Sequence, residues 1–321
     1  MQSSLPFFSV IIPLYNADKF IETAINSVLN QSFGHWEIII VDDKSTDNSL
    51  PLIKKLYGED KRIKIFSQET NRGAAAARNK AIMESSGDWC CFLDSDNEMD
   101  AGYMKEAYTH LSVAPTEVGI FWTGFKRVIH ESNKIIESKN SCWSPDLNLN
   151  NDKILFLINK RIGTGTALSV KKKYLIEAGL FDESLRAAED TELIFRLIWK
   201  CNFIYSKLIL FTYNVYKDKK GRLTTNYKNQ FIAYQVIYKK NESLFLTDKR
   251  LTKNVLMKLI RYSIFSNNKK NITKKYLLYF NKNYGYFNKL TILYLLSFIF
   301  GNRLLINFYS MGSNFKKSHL N

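Results

Sequence analysis

The chain has 321 residues, of which 45% are hydrophobic, and it contains 22 Phe and 18 Tyr. A length of this order allows about two domains and a core that needs no disulfide or metal to stabilise it. The apolar content excludes an intrinsically disordered chain, because such chains cannot bury enough apolar surface to offset the entropy of ordering.

The formal net charge of +16 belongs almost wholly to the last third of the chain. Residues 1–100 hold 10 Lys and Arg against 15 Asp and Glu, residues 101–200 hold 14 against 12, and residues 201–321 hold 22 against 3. This asymmetry predicts an acidic functional site followed by a basic segment that binds an anionic surface. Membrane and nucleic acid are the candidate partners, and nucleic acid is less favoured because no recognised motif accompanies the lysines.

The four cysteines, Cys90, Cys91, Cys142 and Cys201, show no metal-ligand or CxxC spacing. We predict that they are reduced thiols in the core. The N-terminal residues lack the basic and apolar segments of a secretion signal, which favours a cytoplasmic location.

The first 100 residues alternate between short apolar runs and amphipathic segments. Strands are predicted at residues 7–12, 36–41, 63–66 and 89–93, and helices near residues 21–29, 47–57 and 74–85. This alternation predicts an α/β protein with a doubly wound parallel sheet and a functional site at the carboxyl ends of the strands. No GxGxxG opens the first helix and the chain has no GxxxxGK[ST] motif, so neither a dinucleotide fingerprint nor a Walker loop is present.

Beyond residue 100 the predicted elements are a hairpin over residues 118–137, a helix near 151–159 and a strand at 166–170. A turn at residues 179–182 leads to Glu189 and Asp190, which open an amphipathic helix. Acidic residues at a helix N-terminus are favourable for the helix itself. The functional alternative is a general base that deprotonates an attacking hydroxyl group.

Asp94, Ser95 and Asp96 directly follow the fourth predicted strand. Once the chain turns, both carboxylates point beyond the same edge of the sheet, where oxygen ligands suit Mg²⁺ or Mn²⁺ bound to the phosphates of a nucleotide. Solvated loop carboxylates are the alternative for this DxD pattern.

Asp42 and Asp43 end the second predicted strand. We predict that Asp47 caps the following helix. That would leave Asp42 and Asp43 without a structural role, so that they accept hydrogen bonds from a base or a ribose. Tyr15, just past the first strand, either stacks on a base or packs in the core.

Five ordered segments stand out between residue 7 and about residue 200. They are FSVIIPLYN, IIIVDDKSTDNS, NRGAAAARNKAI, GDWCCFLDSDN and GLFDESL with EDTELIFRL. Together they resemble the successive blocks of glycosyltransferase family 2, whose members are inverting enzymes. The resemblance implies the GT-A fold, which is a Rossmann-like, mostly parallel sheet with flanking helices.

The resemblance also implies roles for single residues. Those implied to bind the nucleotide sugar are Pro13, Tyr15, Asp42, Asp43, Arg78, Asp94, Ser95 and Glu189. Asp96, together with Asp94, would hold a divalent cation, Mn²⁺ or Mg²⁺, on the diphosphate. Asp190, the second residue of the ED pair, would be the catalytic base.

Two positions depart from the family pattern. Lys44 stands where DDGSTD has glycine, so that this turn is expected to differ slightly. Tyr216 stands where many members carry the His of a YRxH-like stretch, which removes a third protein ligand for the metal. Lys217, Lys219 or Arg222 would then neutralise the diphosphate.

We therefore expect a metal-dependent hexosyltransferase that uses a nucleotide sugar, with UDP as the expected nucleotide. The GT-A catalytic domain would span residues 1–215, with a nucleotide-sugar half over about 1–100 and an acceptor half over about 101–215. The acceptor would be a glycan, expected to be lipid-linked, in the synthesis of O-antigen, capsule or lipopolysaccharide. A nucleotidyltransferase and a non-catalytic scaffold with a degenerate transferase domain are the alternatives.

Residues 216–321 would form a mainly helical, basic and aromatic tail. The apolar residues of its first amphipathic helix lie opposite the basic ones; they are Leu251, Val255, Leu256, Leu259 and Ile260. Residues 290–300 are apolar but too few to span a bilayer. The tail is therefore interpreted as a peripheral anchor on the inner face of the cell membrane. The alternative is a C-terminal helical subdomain that packs on the catalytic domain, with its basic face solvated.

Overall fold

A computed structural model of the chain describes residues 8–132, 134–142, 153–159, 163–165, 167–218, 226–266, 270–285 and 291–295. The chain divides into two compact units, one of residues 1–184 and 189–220 and the other of residues 185–188 and 221–321. We refer to them as the sheet unit and the helical unit. The predicted domain boundary at residues 215 and 216 stays a prediction.

The first half of the sheet unit follows the predicted alternation. Its elements are β1 (Phe8–Leu14), α1 (Ile21–Leu29), β2 (Trp36–Asp42), α2 (Ser49–Tyr57), β3 (Ile63–Ser67), α3 (Ala74–Glu84) and β4 (Trp89–Phe92). The four strands are parallel in the order β3-β2-β1-β4. Because β1, β2 and β4 are covered on both faces, they read as continuous apolar runs.

The second half of the sheet is mixed. Its elements are β5 (Glu98–Met99), α4 (Tyr103–Leu111), β6 (Val118–Glu131), β7 (Lys134–Ser141), α5 (Lys153–Asn159), β8 (Leu168–Lys171), α6 (Lys172–Glu177), α7 (Glu189–Leu197) and β9 (Asn202–Tyr216). The sheet continues as β8-β6-β9-β5, with β8 antiparallel to β4 and to β6, and β6 parallel to β9. The predicted hairpin is β6 and β7, whereas the sequence pattern did not predict β5 or β9.

The start of α2 differs from the prediction. The capping position is Asn48, one residue beyond Asp47, because the helix begins only at Ser49. Asp47 still accepts a hydrogen bond from the Ser49 amide through Oδ1 (3.0 Å), and its Oδ2 accepts one from the Asp18 amide (3.2 Å). Asp47 therefore ties the loop before α1 to the first turn of α2.

Three of the four cysteines are buried in the core as predicted, and all four are free thiols. Burial raises the pKa of Cys90, Cys91 and Cys201 to about 12. The prediction is wrong for Cys142, which is exposed just after β7. The residues of β7 are themselves mostly exposed, so this end of the hairpin offers no core to enter.

The helical unit contains α8 (Tyr227–Lys240), α9 (Glu242–Thr247), α10 (Lys249–Phe265) and α11 (Lys270–Tyr284), and residues 291–295 are also helical. Helix α10 packs against both α8 and α11. Its apolar stripe, predicted to face a membrane, is at most 2% exposed at Leu251, Val255, Leu256, Leu259 and Ile260. The stripe is therefore the packing face of α10 inside this unit, and the prediction that it faces a membrane is wrong.

Within the described ranges, none of the helices combines the length and the hydropathy that crossing a bilayer requires. Of the apolar run at residues 290–300, only 291–295 lie within the described part of the chain.

Candidate functional site

The topology brings many strand ends to one edge of the sheet. The carboxyl ends of β1, β2 and β4 meet there because these strands are parallel. The carboxyl ends of β6 and β9 reach the same edge, since β8 is antiparallel to both β4 and β6 and β9 is parallel to β6. The segments that precede β5 and β8 arrive at this edge too. We call it the carboxyl edge.

A buried arginine joins three distant parts of the chain at the carboxyl edge. Arg78, on α3, donates from Nη2 to Asp94 Oδ1 and from Nη1 to Glu189 Oε1, at 2.8 Å in each case. Asp94 lies just past β4, and Glu189 is the first residue of α7. The Arg78 guanidinium also lies over the Phe181 ring, 5.6 Å from its centroid. The structure thus brings Arg78, Asp94 and Glu189, all predicted site residues, into direct contact.

The cluster carries more negative than positive charge. Burial raises the pKa of Asp94, Arg78 opposes the shift, and the neighbouring carboxylates of Asp96 and Asp190 raise it further. Burial likewise raises the pKa of Glu189 against the effect of Arg78, with Asp190 adding to the rise. Two carboxylates therefore share one guanidinium, with two more carboxylates near enough to repel them, and an additional cation would relieve this repulsion.

Asp190 lies beside a glycine that leaves room for it. A Cβ atom added to Gly163 would collide with Asp190 Oδ2, and one added to Gly165 would lie 2.8 Å from Asp94 Oδ2. The segment before β8 therefore passes directly over two of the site carboxylates. Its two glycines let the backbone approach them in a way that a side chain would prevent.

Asp42 and Asp43 do have structural roles, so the prediction that they lack one is wrong. Both carboxylates are buried, and Asp42 accepts hydrogen bonds from the Ser45 amide at 3.2 and 3.3 Å. Asp43 Oδ1 accepts from Arg72 N (2.7 Å) and Oδ2 from Gly73 N (2.7 Å). Those two amides immediately precede α3, so Asp43 sets the start of the helix that carries Arg78.

Tyr15 and Pro13 lie at the end of β1. Pro13 is half-buried and pairs with Val41 of β2. Tyr15 is 48% exposed, which excludes the interpretation that its ring packs in the core. An exposed aromatic ring at the carboxyl edge has the geometry for stacking on a base.

Left-handed backbone conformations flank the predicted site residues. Asn16 follows Tyr15 with φ 48°, Lys44 follows Asp43 with φ 63°, and Ala188 precedes Glu189 with φ 53°. Such conformations cost free energy in residues other than glycine, and in folded proteins they concentrate at functional sites. The value at Lys44 supplies the physical reason for a glycine at this position of the DDGSTD pattern.

The acidic turn after β4 is partly buried at Asp94, Ser95 and Asp96. In the described part of the chain, no group of three or more His, Cys, Asp or Glu side chains is arranged to hold a metal ion. Magnesium-type ions commonly use one or two protein carboxylates and complete their coordination with substrate phosphates and water. Asp94 and Asp96 would supply one or two carboxylates of this kind, and among the described residues they form no complete protein cage.

The sequence pattern missed several residues that shape the site. Gly163, Gly165, Asn97, Asn214 and His130 all lie at the carboxyl edge in strand ends and turns. The closely spaced glycines were a detectable signal, since such residues mark close backbone approach. The contacts of Asn97 and Asn214 span more than 65 residues of sequence and leave no local pattern.

Comparison with known proteins agrees with this fold. The sequence profile described as "Glycosyl transferase family 2" matches residues 9–178, which is more than half of the chain. A Haemophilus influenzae protein named an uncharacterized glycosyltransferase is 45% identical over 94 residues, which are 29% of this chain and 38% of that protein. The chain thus spans little more than a third of this relative.

Two further similarities extend over more of the chain. A Campylobacter jejuni protein named GalNAc(5)-diNAcBac-PP-undecaprenol beta-1,3-glucosyltransferase is 28% identical over 238 residues, 72% of this chain and 71% of that protein. The crystal structure of S. aureus TarS 1-349 in complex with UDP-GlcNAc is similar with a TM-score of 0.59 at 18% identity, covering 92% of both chains. The structural likeness shows a shared fold. The profile matched over more than half of the chain establishes that this chain belongs to glycosyl transferase family 2.

Proposed function

We propose that this chain is an inverting glycosyltransferase. It moves a sugar from a nucleotide-sugar donor, with UDP as the expected nucleotide, to a hydroxyl group of a lipid-linked glycan in the synthesis of a bacterial surface polysaccharide. The observation that carries the proposal is the buried Arg78 between Asp94 and Glu189. Asp190 directly follows Glu189, and Asp96 lies two residues after Asp94. Both therefore lie close to this contact at the carboxyl edge, where α/β sheets bind their ligands.

The donor proposal is supported by the fold and by the matched family. TarS, which shares the fold, has been crystallised with UDP-GlcNAc, and the Campylobacter relative is named for a polyprenol-linked acceptor. At the carboxyl edge of this chain, the exposed Tyr15 ring offers a surface for a base.

In the proposed reaction, Asp190 removes the proton from the attacking hydroxyl group of the acceptor. The acceptor oxygen then forms a bond to the anomeric carbon on one face of the sugar. The bond to the diphosphate oxygen breaks on the opposite face, and its electron pair leaves with the nucleoside diphosphate. A single displacement of this kind inverts the anomeric configuration and needs no nucleophilic carboxylate of the enzyme.

The remaining side chains act on charge and position. Asp96 and Asp94 would hold a divalent cation, which when bound neutralises the charge that develops on the leaving diphosphate. Arg78 holds Asp94 and Glu189 in place. Since Glu189 directly precedes Asp190 on α7, the Arg78 contact also sets the position of the proposed base.

The first test incubates the protein with UDP-, GDP- and dTDP-sugars and Mn²⁺ and measures release of the nucleoside diphosphate. One donor is expected to react, and Asp190→Asn is expected to lower its rate by about 10²- to 10⁴-fold because the general base is lost. Asp96→Ala is expected to lose most of the release as well. Asp88→Asn, an exposed aspartate directly before β4, is the matched control and is expected to retain the rate.

Three results would contradict this function. Release of pyrophosphate would assign a nucleotidyltransferase, and retention of the anomeric configuration in the product would exclude the single displacement. If wild-type protein releases nothing, calorimetry with UDP, GDP and dTDP decides the matter. Failure to bind any of the three nucleotides would favour the non-catalytic scaffold.

A second prediction concerns the space beside the base. Gly163→Ala places a methyl group against Asp190 Oδ2 and is expected to lower the transfer rate at least tenfold, because small displacements of catalytic groups are costly. Gly34→Ala is the matched control, since a Cβ atom there meets nothing within 4 Å. Equal rates for the two variants at saturating donor would show that the position of Asp190 is not critical.

A third prediction concerns the buried guanidinium of Arg78. Arg78→Met leaves Asp94 and Glu189 without their counter-charge, which is expected to cost about 3–5 kcal/mol of unfolding free energy at neutral pH. The pKa values of both carboxyls, already raised by burial, would rise further. Protonation then removes the unpaired charges, so the deficit should shrink as the pH falls. Chemical denaturation between pH 5 and 8 measures this, and a deficit that grows toward low pH would contradict it.

The proposed membrane partner rests on α11. One side of this helix exposes basic and apolar residues at helical spacing, namely Lys274, Lys275, Leu278, Tyr279 and Lys282. Leu278 is 55% exposed and Tyr279 42% exposed. Basic side chains around exposed apolar ones suit the interface of an anionic bilayer. We call these five residues the α11 face and propose it, in place of α10, as the membrane-binding surface.

Co-sedimentation with vesicles tests the α11 face. Wild-type protein is expected to bind vesicles that contain phosphatidylglycerol and not pure phosphatidylcholine vesicles. Replacing Lys274, Lys275 and Lys282 by Gln should weaken binding by about a hundredfold, since each lysine near the surface contributes about 1 kcal/mol. The same change at Lys239, Lys240 and Lys249, which are exposed on α8 and α10, is the charge-matched control. Equal losses, or binding to DNA in place of vesicles, would overturn this surface.

A further inference from the structure

A buried asparagine near the end of β9 holds the acidic turn that carries Asp96. Asn214 is 7% exposed, and its Nδ2 donates to the Asp96 carbonyl oxygen and to Glu98 Oε1, at 3.1 Å in each case. Its Oδ1 lies 2.9 Å from Nε2 of His130 at the end of β6. A side-chain amide offers two N–H donors, and Asn214 donates one to the acidic turn and the other to Glu98 directly after it.

A second buried amide holds the same turn from inside. Asn97 is 1% exposed, and its Oδ1 accepts a hydrogen bond from the backbone N–H of Asn214 at 2.9 Å. Its Nδ2 donates to the carbonyl of Gly165 at 3.3 Å, and its own amide donates to the Asp94 carbonyl at 3.0 Å. The acidic turn is thus linked on one side to β9 and on the other to the glycine segment that passes over Asp94.

An aromatic stack holds the far end of this network. The Tyr216 ring packs against the rings of Phe20 (centroids 4.3 Å apart) and His130 (4.5 Å apart, planes at 19°). His130 and Tyr216 are also partners in the β6–β9 register. Burial raises the pKa of Tyr216, and the carboxylates of Asp96 and Glu98 raise it further. The stack therefore lies close to the acidic turn and restrains the imidazole that faces Asn214.

We propose that Asn214 is a positioning residue for the diphosphate site. By holding the Asp96 carbonyl and the Glu98 carboxylate, it presents the Asp96 side chain to the diphosphate of the donor. His130 acts one step further away, by holding the amide of Asn214 in the orientation that directs both N–H groups at the turn. This inference rests on the proposed function, and it adds a role for two residues outside the acidic motif itself.

Because Asn214 is buried, the loss of its hydrogen bonds to the acidic turn cannot easily be compensated. A buried donor cannot be replaced by water without opening the turn, and a buried acceptor that loses its donor is destabilised. Without Asn214, the Glu98 carboxylate, two residues after Asp96, also loses a hydrogen-bond donor. The turn is then expected to relax, and Asp96 loses its set direction while the β6–β9 pairing persists.

The test measures UDP binding by calorimetry with Mn²⁺ in four proteins: wild type, Asn214→Leu, Asp96→Ala and the double variant. Asn214→Leu is expected to weaken UDP binding by about tenfold, and to weaken it by less than about twofold when Asp96 is already absent, since coupled residues are non-additive. The affinity for uridine, which lacks the diphosphate, should differ by less than about twofold between wild type and Asn214→Leu. His130→Phe keeps an aromatic ring on Tyr216 but loses the bond to Asn214, and an intermediate loss is expected.

Gln31→Leu is the matched control for a general loss of stability. Gln31 is a buried amide that donates to the carbonyls of Ser27 and Asp100 and accepts from the Met104 amide. It should lower the unfolding free energy like Asn214→Leu but leave UDP binding within about twofold. Equal losses for UDP and uridine, or the same loss in the Asp96→Ala background, would overturn the positioning role.

Hydrogen exchange tests the geometry without any ligand. Asn214→Leu should speed exchange of the amides at residues 94–98, while the amides of β1 and β2 keep their protection. Unchanged exchange at residues 94–98 would overturn the inference. Wild-type protein that fails to bind UDP would contradict the proposed donor instead, and the exchange result would still decide the role of Asn214.

Discussion

The pairing of a buried guanidinium with two carboxylates is the constraint on which the carboxyl edge depends. Arg78 can be buried only if its charge is compensated, and the compensating groups come from Asp94 after β4 and Glu189 at the start of α7. One side chain thereby sets the relative positions of three elements. Upstream, Asp43 binds the amides at the start of α3 and so directs the helix that carries Arg78. The charged residues of the site are consequently linked to one another through Arg78.

Around these charged residues, uncharged groups of the chain fix the positions of the site carboxylates. Buried amides hold the acidic turn, and glycines at 163 and 165 admit the backbone next to two carboxylates. The result is a set of carboxylates held in place before any ligand arrives. Groups of fixed orientation lose little free energy to reorganisation when a reaction develops charge near them.

The first four strands, the β6–β7 hairpin and α7 could be predicted because each is a local pattern that matches the period of its element. Strand β9 was missed because it is long, only partly buried and interrupted by polar residues. The apolar stripe of α10 was correctly identified, but its partner was not, since a stripe is equally apolar whether it meets a membrane or the helices α8 and α11. Asp43 was misjudged for a related reason: the amides that it binds lie about 30 residues further along the chain.

Of the candidate site residues, Arg78 came only from the resemblance to glycosyltransferase family 2, whereas Asp94, Asp96, Glu189 and Asp190 were indicated by their places at the ends of predicted elements. The sequence by itself determined the alternating α/β architecture and the concentration of basic charge in the last third of the chain. Composition and period carry this information because burial of apolar faces is a local requirement. Only the tertiary structure decided that Arg78 bridges Asp94 and Glu189, that Gly163 lies against Asp190, and that Asn214 holds the turn of Asp96. These contacts join residues that are distant in sequence, and they exist only once the sheet has brought its strand ends to one edge.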